Sequence, residues 1–301
     1  MKRDPSVIGG WDAARIVTGK FGGPLGVYND KMGLTDNQPT DIMLWGTRLE
    51  DAIRSEFERR HGVEVKKPDK VQHSEISWLG GHPDGILEGE DVGLEVKTSS
   101  AWMKDKWGEE YTDEIPEQVI VQCQWYMKAL GFPTWWVAAL IGGNDYKEYM
   151  LGEDKELQGL CIEKCDKFRK DHLIPRCPPI MDDSEAAAEF LRKAFPEQKY
   201  NLREPTEGEL AVIQELLVKR DALKVAKEAE AVLKATVKHL IGDHEGFQLD
   251  HGKITWKKIK DNKKVNWQAL AKEMGPTPEL IRKHTHLTKG VRRLSFYLKD
   301  N

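Results

Sequence analysis

The stretch Gly80–Lys97, GGHPDGILEGEDVGLEVK, decides how the chain is interpreted. Asp84 ends one short apolar run, and eleven residues later Glu95 and Lys97 flank Val96 inside a second run. Residues two apart in a β-strand point to the same face, so Glu95 and Lys97 share one face while Val96 turns to the core. Grouping two carboxylates and an amine at strand ends costs desolvation and repulsion, which a purely structural hairpin has little reason to accept.

A divalent cation removes that cost. Hard cations such as Mg²⁺ take oxygen ligands from one or two carboxylates together with a substrate phosphate. A neighbouring ammonium can stabilise the charge that develops when that phosphate is attacked. The same residues also fit a solvated, charged β-hairpin, so this stretch needs support from other segments.

The composition is that of a globular protein with one large domain, or one domain and an appendage. The chain has 301 residues, of which 39% are hydrophobic and 32% charged. No run approaches the roughly eighteen apolar residues of a membrane span, and the N-terminus has no apolar signal region. We therefore expect no membrane partner and a cytoplasmic location.

Charge is distributed unevenly along the chain. Residues 251–301 hold thirteen Lys or Arg against four Asp or Glu, so this tail carries +9 while the whole chain carries −4. A basic tail is typical of a nucleic-acid contact, although lysine-rich tails are also ordinary solubilising surface. Four cysteines at irregular spacing fit neither a disulfide framework nor common metal-ligand pairs, and we expect reduced structural thiols.

The first part of the chain is predicted to hold two helices separated by a loop. Residues 8–19 begin with a Gly pair that could offer backbone N–H groups to a phosphate or simply form a tight turn, and residues 20–40 are predicted as a loop. A helix over 41–60, capped by Thr40 or Asp41, has an apolar stripe of Ile42, Trp45, Leu49, Ile53 and Phe57. Glu50 lies one position off that stripe, either at the surface or in a cleft beside the Asp84 strand.

The middle of the chain is predicted to alternate strands and helices. A helix beginning at Pro116 places Gln122 and Tyr126 on one face, where Gln122 either pairs internally or faces a ligand. Residues 99–114 are predicted as a loop or lid. Strands are predicted at 63–65, 71–78, 134–141 and 145–151, and a helix at 153–172.

The C-terminal part is predicted to be an extension. Its main feature is a charged helix over 206–241, interpreted as a coiled-coil-like arm that packs on a neighbour or on the core. Shorter elements are predicted at 184–195, 246–249, 253–260, 267–273, 279–284 and 293–298. The predicted domains are a core at 1–180, a helical extension at 181–245 and a basic α+β appendage at 246–301.

Five segments in order resemble the YqaJ-like viral recombinase and lambda exonuclease family of the PD-(D/E)xK nuclease superfamily, over roughly residues 5–175. They are IGGWDAA at 8–14, WGTRLE at 45–50, HPDG at 82–85, LEVKTSS at 94–100 and IPEQVIVQCQWYM at 115–127. The resemblance implies an α/β (α+β) fold with a restriction-endonuclease-like core, a central mixed sheet flanked by helices. A long helix and a small α+β unit would extend it.

The resemblance also implies roles for particular residues. Asp84 and Glu95 would bind the metal, with the Val96 carbonyl as a further ligand, and Lys97 would activate or position the attacking water. Glu50 would assist at a second metal position. A further helical residue, Gln122, would contact DNA phosphate or orient the lysine.

The activity implied is a Mg²⁺-dependent deoxyribonuclease, with Mn²⁺ as a substitute. It would be a 5′-to-3′ exonuclease on double-stranded DNA ends that leaves 3′ single strands for phage-type homologous recombination. A homo-oligomer and a single-strand annealing protein would be its partners. The alternatives are a structure- or site-specific endonuclease of the same fold and a non-catalytic DNA-binding recombination scaffold.

One residue departs from the family pattern. Relatives often carry Ser in the N-terminal Gly/Ala-Ser turn that holds the 5′-phosphate, whereas this chain has Trp11 after Gly10. Recognition of a terminal phosphate would then fall to backbone amides, to Arg3 or to Arg15, or would be weakened.

Overall fold

The computed structural model describes residues 6–35, 39–198, 202–258 and 266–285. The chain divides into two compact units, with the boundary between Glu197 and Gln198. Arg3 and the predicted strand at 293–298 lie outside the described residues.

The first unit alternates helices and short strands. Its helices are α1 (Gly10–Thr18), α2 (Gly23–Met32), α3 (Asp41–His61), α4 (Glu117–Leu130), α5 (Lys155–Phe168) and α6 (Glu185–Ala194). Its strands are β1 (Val65–Lys66), β2 (Val71–Gln72), β3 (Gly80–Gly81), β4 (Gly85–Leu87), β5 (Val92–Ser99), β6 (Thr134–Ile141) and β7 (Asp145–Gly152). A 3₁₀-helix (Ala101–Lys106) follows β5, and a π-helical turn (Arg169–Leu173) follows α5.

Five strands form a mixed sheet in the order β1-β4-β5-β6-β7. The β5–β6 pair is parallel, and the other three pairs are antiparallel. Parallel neighbours need a long crossover connection, which here contains α4 and returns the chain beside β5. The predicted mixed sheet flanked by helices is therefore confirmed.

Both faces of the sheet are covered. On one face Leu94, Val96 and Ala138 pack with Ile53 and Phe57 of α3. The opposite face packs against α1, α4 and α5 through a larger buried cluster that includes Trp135 and Val137. Alternation along β5 therefore sends Glu95 and Lys97 toward α4, away from the face that buries Leu94 and Val96.

The prediction of a loop over residues 20–40 was wrong, because α2 lies within it. Pro24 occupies the first turn, where its missing N–H is harmless, and Gly33 ends the helix with φ +71°. The helix has no clear amphipathic stripe, so periodicity could not reveal it. It nevertheless contributes buried side chains, among them Leu25, Val27 and Tyr28.

The apolar stripe predicted for α3 holds only for its second half. Ile53 and Phe57 are buried, whereas Ile42 is 82% and Trp45 58% exposed. Helical spacing predicts which side chains share a face but not how far the covering sheet extends. Extended structure at 71–78 was also overpredicted, since the strand there ends at Gln72, and a 3₁₀-helix occupies part of the expected loop at 99–114.

The second unit consists of one long helix and short elements. The helix α7 (Glu207–Ile241) begins at a capping box formed by Thr206 and Glu209. After it come the hairpin β8 (Gly246–Leu249) and β9 (Gly252–Thr255), then α8 (Trp267–Glu273) and α9 (Pro278–Lys283). None of the described helices in either unit is long and apolar enough to span a bilayer.

Candidate active site

Strand pairing brings the first three candidate residues together. Gly85 of β4 pairs with Leu94 of β5, so the residue before Gly85 comes opposite the residue after Leu94. The Val96 N–H donates to Asp84 Oδ2 at 2.9 Å. Asp84 is therefore fixed against the segment of β5 that carries Glu95 and Lys97.

Gln122 of α4 joins this group from the neighbouring layer. Its Nε2 donates to Glu95 Oε1 at 2.6 Å, and its Oε1 accepts from Lys97 Nζ at 3.0 Å. Lys97 Nζ also donates to Glu95 Oε1, at 2.5 Å. The structure thus brings together Asp84, Glu95, Lys97 and Gln122, hereafter the carboxylate–lysine cluster, and Gln122 faces this cluster rather than pairing within its own helix.

Glu95 and Gln122 of the cluster are buried, whereas Asp84 and Lys97 are half-buried, and this burial shifts protonation equilibria. Glu95 is 1% exposed, and its Oε2 has no hydrogen-bond partner among the described residues. Burial, reinforced by the Asp84 carboxylate, raises the pKa of Glu95 to about 8. Burial alone would lower the pKa of Lys97, but the carboxylates of Glu95 and Asp84 outweigh it and raise that pKa.

Two aromatic side chains of α4 hold the surrounding backbone. Trp125 Nε1 donates to the carbonyls of Ile8 and Gly80, each at 3.1 Å. Tyr126 Oη donates to the His82 carbonyl at 3.1 Å. Both the start of α1 and the segment leading to Asp84 are therefore attached to the helix that carries Gln122.

A cavity of about 240 Å³ adjoins the cluster. It lies between the start of α1, the segment at Gly81 and His82, and α4, and Gln122 belongs both to its lining and to the cluster. Its lining also includes Trp11, Asp12, Lys31, Lys70 and Tyr126. Lys31 comes from α2, so its presence at this cavity could not be predicted while residues 20–40 were taken as a loop.

The N-terminus of α1 is capped by Asp12, a residue of the same helix. The Gly9 N–H donates to Asp12 Oδ2 at 3.2 Å, and Lys31 Nζ pairs with the same oxygen at 2.7 Å. This amide is therefore already used, which favours the tight-turn alternative over a phosphate-binding turn. Arg15 is also engaged, because it pairs with Asp30 at 2.6 Å and donates from Nε to the Phe21 carbonyl.

Trp11 lies directly beside the cluster. Lys97 Nζ is 6.0 Å from the centroid of its ring, within cation–π range, and the ring also packs on Phe21. The sequence marked Trp11 as a departure at a phosphate-binding turn. What it could not indicate was the contact with Lys97, because that contact depends on α1 packing beside α4.

The remaining candidate, Glu50, pairs with residues outside the cluster. Its carboxylate pairs with Lys67 and lies 3.9 Å from Arg54 Nη1. Within the described ranges, no hydrogen bond or ion pair joins it to the carboxylate–lysine cluster. Accordingly, no set of three or more His, Cys, Asp or Glu side chains in those ranges is arranged to hold a metal ion.

Similar proteins cover most of the chain. The Bacillus subtilis (strain 168) protein named "Uncharacterized protein YqaJ" is 29% identical over 297 residues, which is 96% of this chain and 92% of the relative. Among solved structures, the alkaline exonuclease LHK-Exo from Laribacter hongkongensis is 18% identical with a TM-score of 0.47, covering 57% of this chain and 90% of its own. A phage-related exonuclease from Haemophilus somnus 129PT is 13% identical with a TM-score of 0.44, covering 56% and 96% respectively.

The family comparison concerns the part of the chain that holds the cluster. Residues 3–132 match the model of the YqaJ-like viral recombinase domain. This range contains Asp84, Glu95, Lys97 and Gln122, together with α1 and the cavity wall. The match agrees with the resemblance drawn from the sequence: residues 3–132 of this chain are similar to the YqaJ-like viral recombinase domain.

Proposed function

We propose that this protein is a Mg²⁺-dependent deoxyribonuclease, a 5′-to-3′ exonuclease that acts on double-stranded DNA ends. Its product would be a 3′ single strand for homologous recombination. The observation that carries the proposal is the carboxylate–lysine cluster, in which two carboxylates, one ammonium and one amide meet around the buried Glu95. Clusters of this kind cost desolvation energy, which a functional requirement explains.

The donor set fits a hard divalent cation. Asp84 and Glu95 offer carboxylate oxygens, and the Val96 carbonyl is a further candidate ligand. Glu95 Oε2 is buried and has no hydrogen-bond partner within the described residues, and a buried oxygen of this kind calls for an ion or a water molecule. When bound, the metal would generate the attacking hydroxide from water and stabilise negative charge on the phosphate.

The protein side chains would orient the reaction. Lys97 has an ammonium held by Glu95 and Gln122, and it would position the attacking water or donate to a phosphate oxygen. Gln122 keeps both partners in place and could contact the DNA phosphate. Glu50 would assist at a second metal position, for which its present pair with Lys67 would have to be exchanged.

A preference for a 5′-phosphate would be weak under this proposal. The Gly9 amide is used by Asp12, and Arg15 is paired with Asp30. Two of the groups that could replace the missing serine hydroxyl are thus already engaged. A homo-oligomer and a single-strand annealing protein remain proposed partners.

The direct test is digestion of linear duplex DNA labelled separately at each 5′ and 3′ end, with and without a 5′-phosphate. With Mg²⁺ we expect mononucleotides to be released from 5′ ends, with little dependence on the phosphate, and no digestion in EDTA. A covalently closed circle should remain intact. Cutting of the circle would instead indicate an endonuclease, and binding of DNA without cleavage in Mg²⁺ or Mn²⁺ would indicate a recombination scaffold.

A glycine next to the cluster offers a separate prediction. A Cβ at Gly10 would lie 2.8 Å from the Tyr126 ring and 2.9 Å from Gln122 Cγ, so Gly10→Ala should displace Gln122. Small misplacements of an orienting group are costly, and we expect kcat to fall by about tenfold or more with little change in KM. The measurement is steady-state digestion of labelled duplex.

The matched control is the preceding residue. A Cβ at Gly9 would meet only Asp12 Oδ2, at an ordinary 3.6 Å, so Gly9→Ala should retain activity. Equal activities of the two variants would argue against an orienting role for Gln122.

A further inference from the structure

A second cavity, of about 570 Å³, lies at the C-terminal end of α4 and is hereafter the α4–α5 cavity. Its other walls are the residues that follow β2 and the first half of α5. Lys128 of its lining lies six residues beyond Gln122, about 9 Å along the helix. Within the described chain, no residue of the carboxylate–lysine cluster lines this cavity. Its volume is in the range of small-molecule sites in proteins.

One wall of the α4–α5 cavity carries a buried glutamine whose orientation is fixed. Backbone groups assign both ends of the neighbouring Gln124 amide, because its Nε2 donates to the Gly152 carbonyl and its Oε1 accepts from the Asp154 N–H at 2.9 Å. Gln158 Nε2 donates to that same Gln124 Oε1 at 3.1 Å. Gln158 is only 6% exposed, and its Oε1 has no hydrogen-bond partner among the described residues. It therefore offers the cavity an acceptor in a fixed position.

A second wall carries a histidine whose tautomer is also set by backbone groups. His73 Nδ1 accepts from the N–H of Glu75 at 3.1 Å and from the N–H of Ile76 at 3.2 Å. A ring nitrogen that accepts cannot hold the proton of the neutral imidazole, so the proton is on Nε2. Nothing in the described ranges accepts a hydrogen bond from this Nε2–H. His73 is therefore a donor in the lining of the cavity.

The third polar group of the lining is the ammonium of Lys128. This side chain is half-buried, and it forms no ion pair within the part of the chain that the structure describes. Lys155, the other lysine of the lining, instead pairs with Glu153 at 3.3 Å. Leu130 and Ile162 add apolar surface. The α4–α5 cavity thus combines one acceptor, one donor, one unpaired cation and an apolar wall.

We propose that the α4–α5 cavity binds a nucleoside 5′-monophosphate. The phosphate would pair with Lys128, while the base would accept from His73 Nε2–H and donate to Gln158 Oε1. Each of the four DNA bases has a donor and an acceptor on its Watson–Crick edge, so the site would tolerate any of them. The identity of the ligand rests on the proposed function, because a mononucleotide is the product that this nuclease would release. The cavity would hold that product at a place separate from the cluster.

The test is titration of the full-length protein with dTMP in EDTA, followed by ligand-detected NMR. EDTA removes divalent metal and prevents cleavage, so binding is measured independently of nuclease activity. We expect a dissociation constant on the order of 0.1 mM for the wild-type protein. The variant Lys128→Gln should weaken dTMP binding by about tenfold and leave thymidine binding unchanged, because thymidine lacks the phosphate.

A variant of the histidine separates the base contact from the phosphate contact. In His73→Asn the side-chain oxygen can accept from the same two amides in an Asx turn, so the loop is kept while the Nε2–H donor is lost. This variant should weaken dTMP and thymidine binding alike, by about fivefold. The matched control for charge is Lys155→Gln, which should bind dTMP within about twofold of wild type because that ammonium is exposed and already paired. Equal melting temperatures establish that the variants are folded.

Two results would overturn the proposal directly, namely absence of dTMP binding by the wild-type protein and unchanged dTMP binding by Lys128→Gln. Loss of binding in Lys97→Ala with no loss in Lys128→Gln would place the nucleotide at the carboxylate–lysine cluster and would also overturn it. Failure of the proposed function would show differently, as linear duplex DNA that stays undigested in Mg²⁺ while dTMP still binds in EDTA.

Discussion

Replacement of Lys97 by alanine is expected to lower DNA cleavage by about 1000-fold. The ammonium is the one cationic group of the carboxylate–lysine cluster, and hydrogen bonds to Glu95 and Gln122 hold it in place. Under the proposed function it would stabilise the negative charge that develops on the phosphate. Its loss removes an interaction that strengthens in the transition state, so kcat should fall while affinity for duplex DNA changes little. Single-turnover digestion of end-labelled duplex in Mg²⁺, together with DNA binding measured in Ca²⁺, separates the two effects.

A lysine outside the cluster provides the control. Lys66 lies on the edge strand β1 and pairs with Glu88 at the surface. The substitution Lys66→Ala also removes one positive charge from this sheet. We expect this variant to cleave DNA at the wild-type rate. If Lys97→Ala digested DNA as fast as Lys66→Ala, the proposed role of the cluster would be untenable.

The second large effect concerns the sheet that supports the site. A Cβ added at Gly93 of β5 would overlap the indole of Trp135, which is fully buried on β6 and stacks with Tyr126 at 5.7 Å between ring centroids. The indole has no free space to move into, so Gly93→Ala should lower the free energy of unfolding by about 3 kcal/mol. Urea unfolding followed by tryptophan fluorescence measures this difference.

The matching control is a glycine in open space. A Cβ at Gly159 of α5 meets no atom within 4 Å, and alanine is the better helix former. We expect Gly159→Ala to raise the free energy of unfolding by about 0.5–1 kcal/mol. Equal free energies of unfolding for the two variants would show that β5 and β6 can move apart without an energetic cost, contrary to the packing of Gly93 against Trp135.

Much of the first unit could be predicted from the sequence because its patterns are strong. Alternation along β5 assigned Glu95 and Lys97 to one face, and the structure agrees. Helical spacing placed Gln122 on α4, although the sequence left open whether it faced a ligand. The parallel pairing of β5 with β6, which sets α4 against this face of the sheet, explains why Gln122 contacts Glu95 and Lys97.

The misses have a common physical origin in tertiary packing. The helix α2 lacks an apolar stripe because several of its buried positions are polar, such as Asn29 and Lys31. Ile42 and Trp45 follow the correct period but extend past the part of α3 that the sheet covers. Glu50 is not one of these misses, because its pair with Lys67 does not test the role that the family pattern implies for it. Its place in catalysis remains a proposal.

The hydrogen bonds of Gln122 have a consequence for control of the proposed activity. They link the reactive groups to a helix that also fills the hydrophobic core, through buried neighbours such as Trp125 and Met127. An effector could therefore not displace these groups by moving a surface loop. Displacing them would require a change in the packing of the core. Regulation of the proposed nuclease activity would instead have to govern whether a DNA end is admitted.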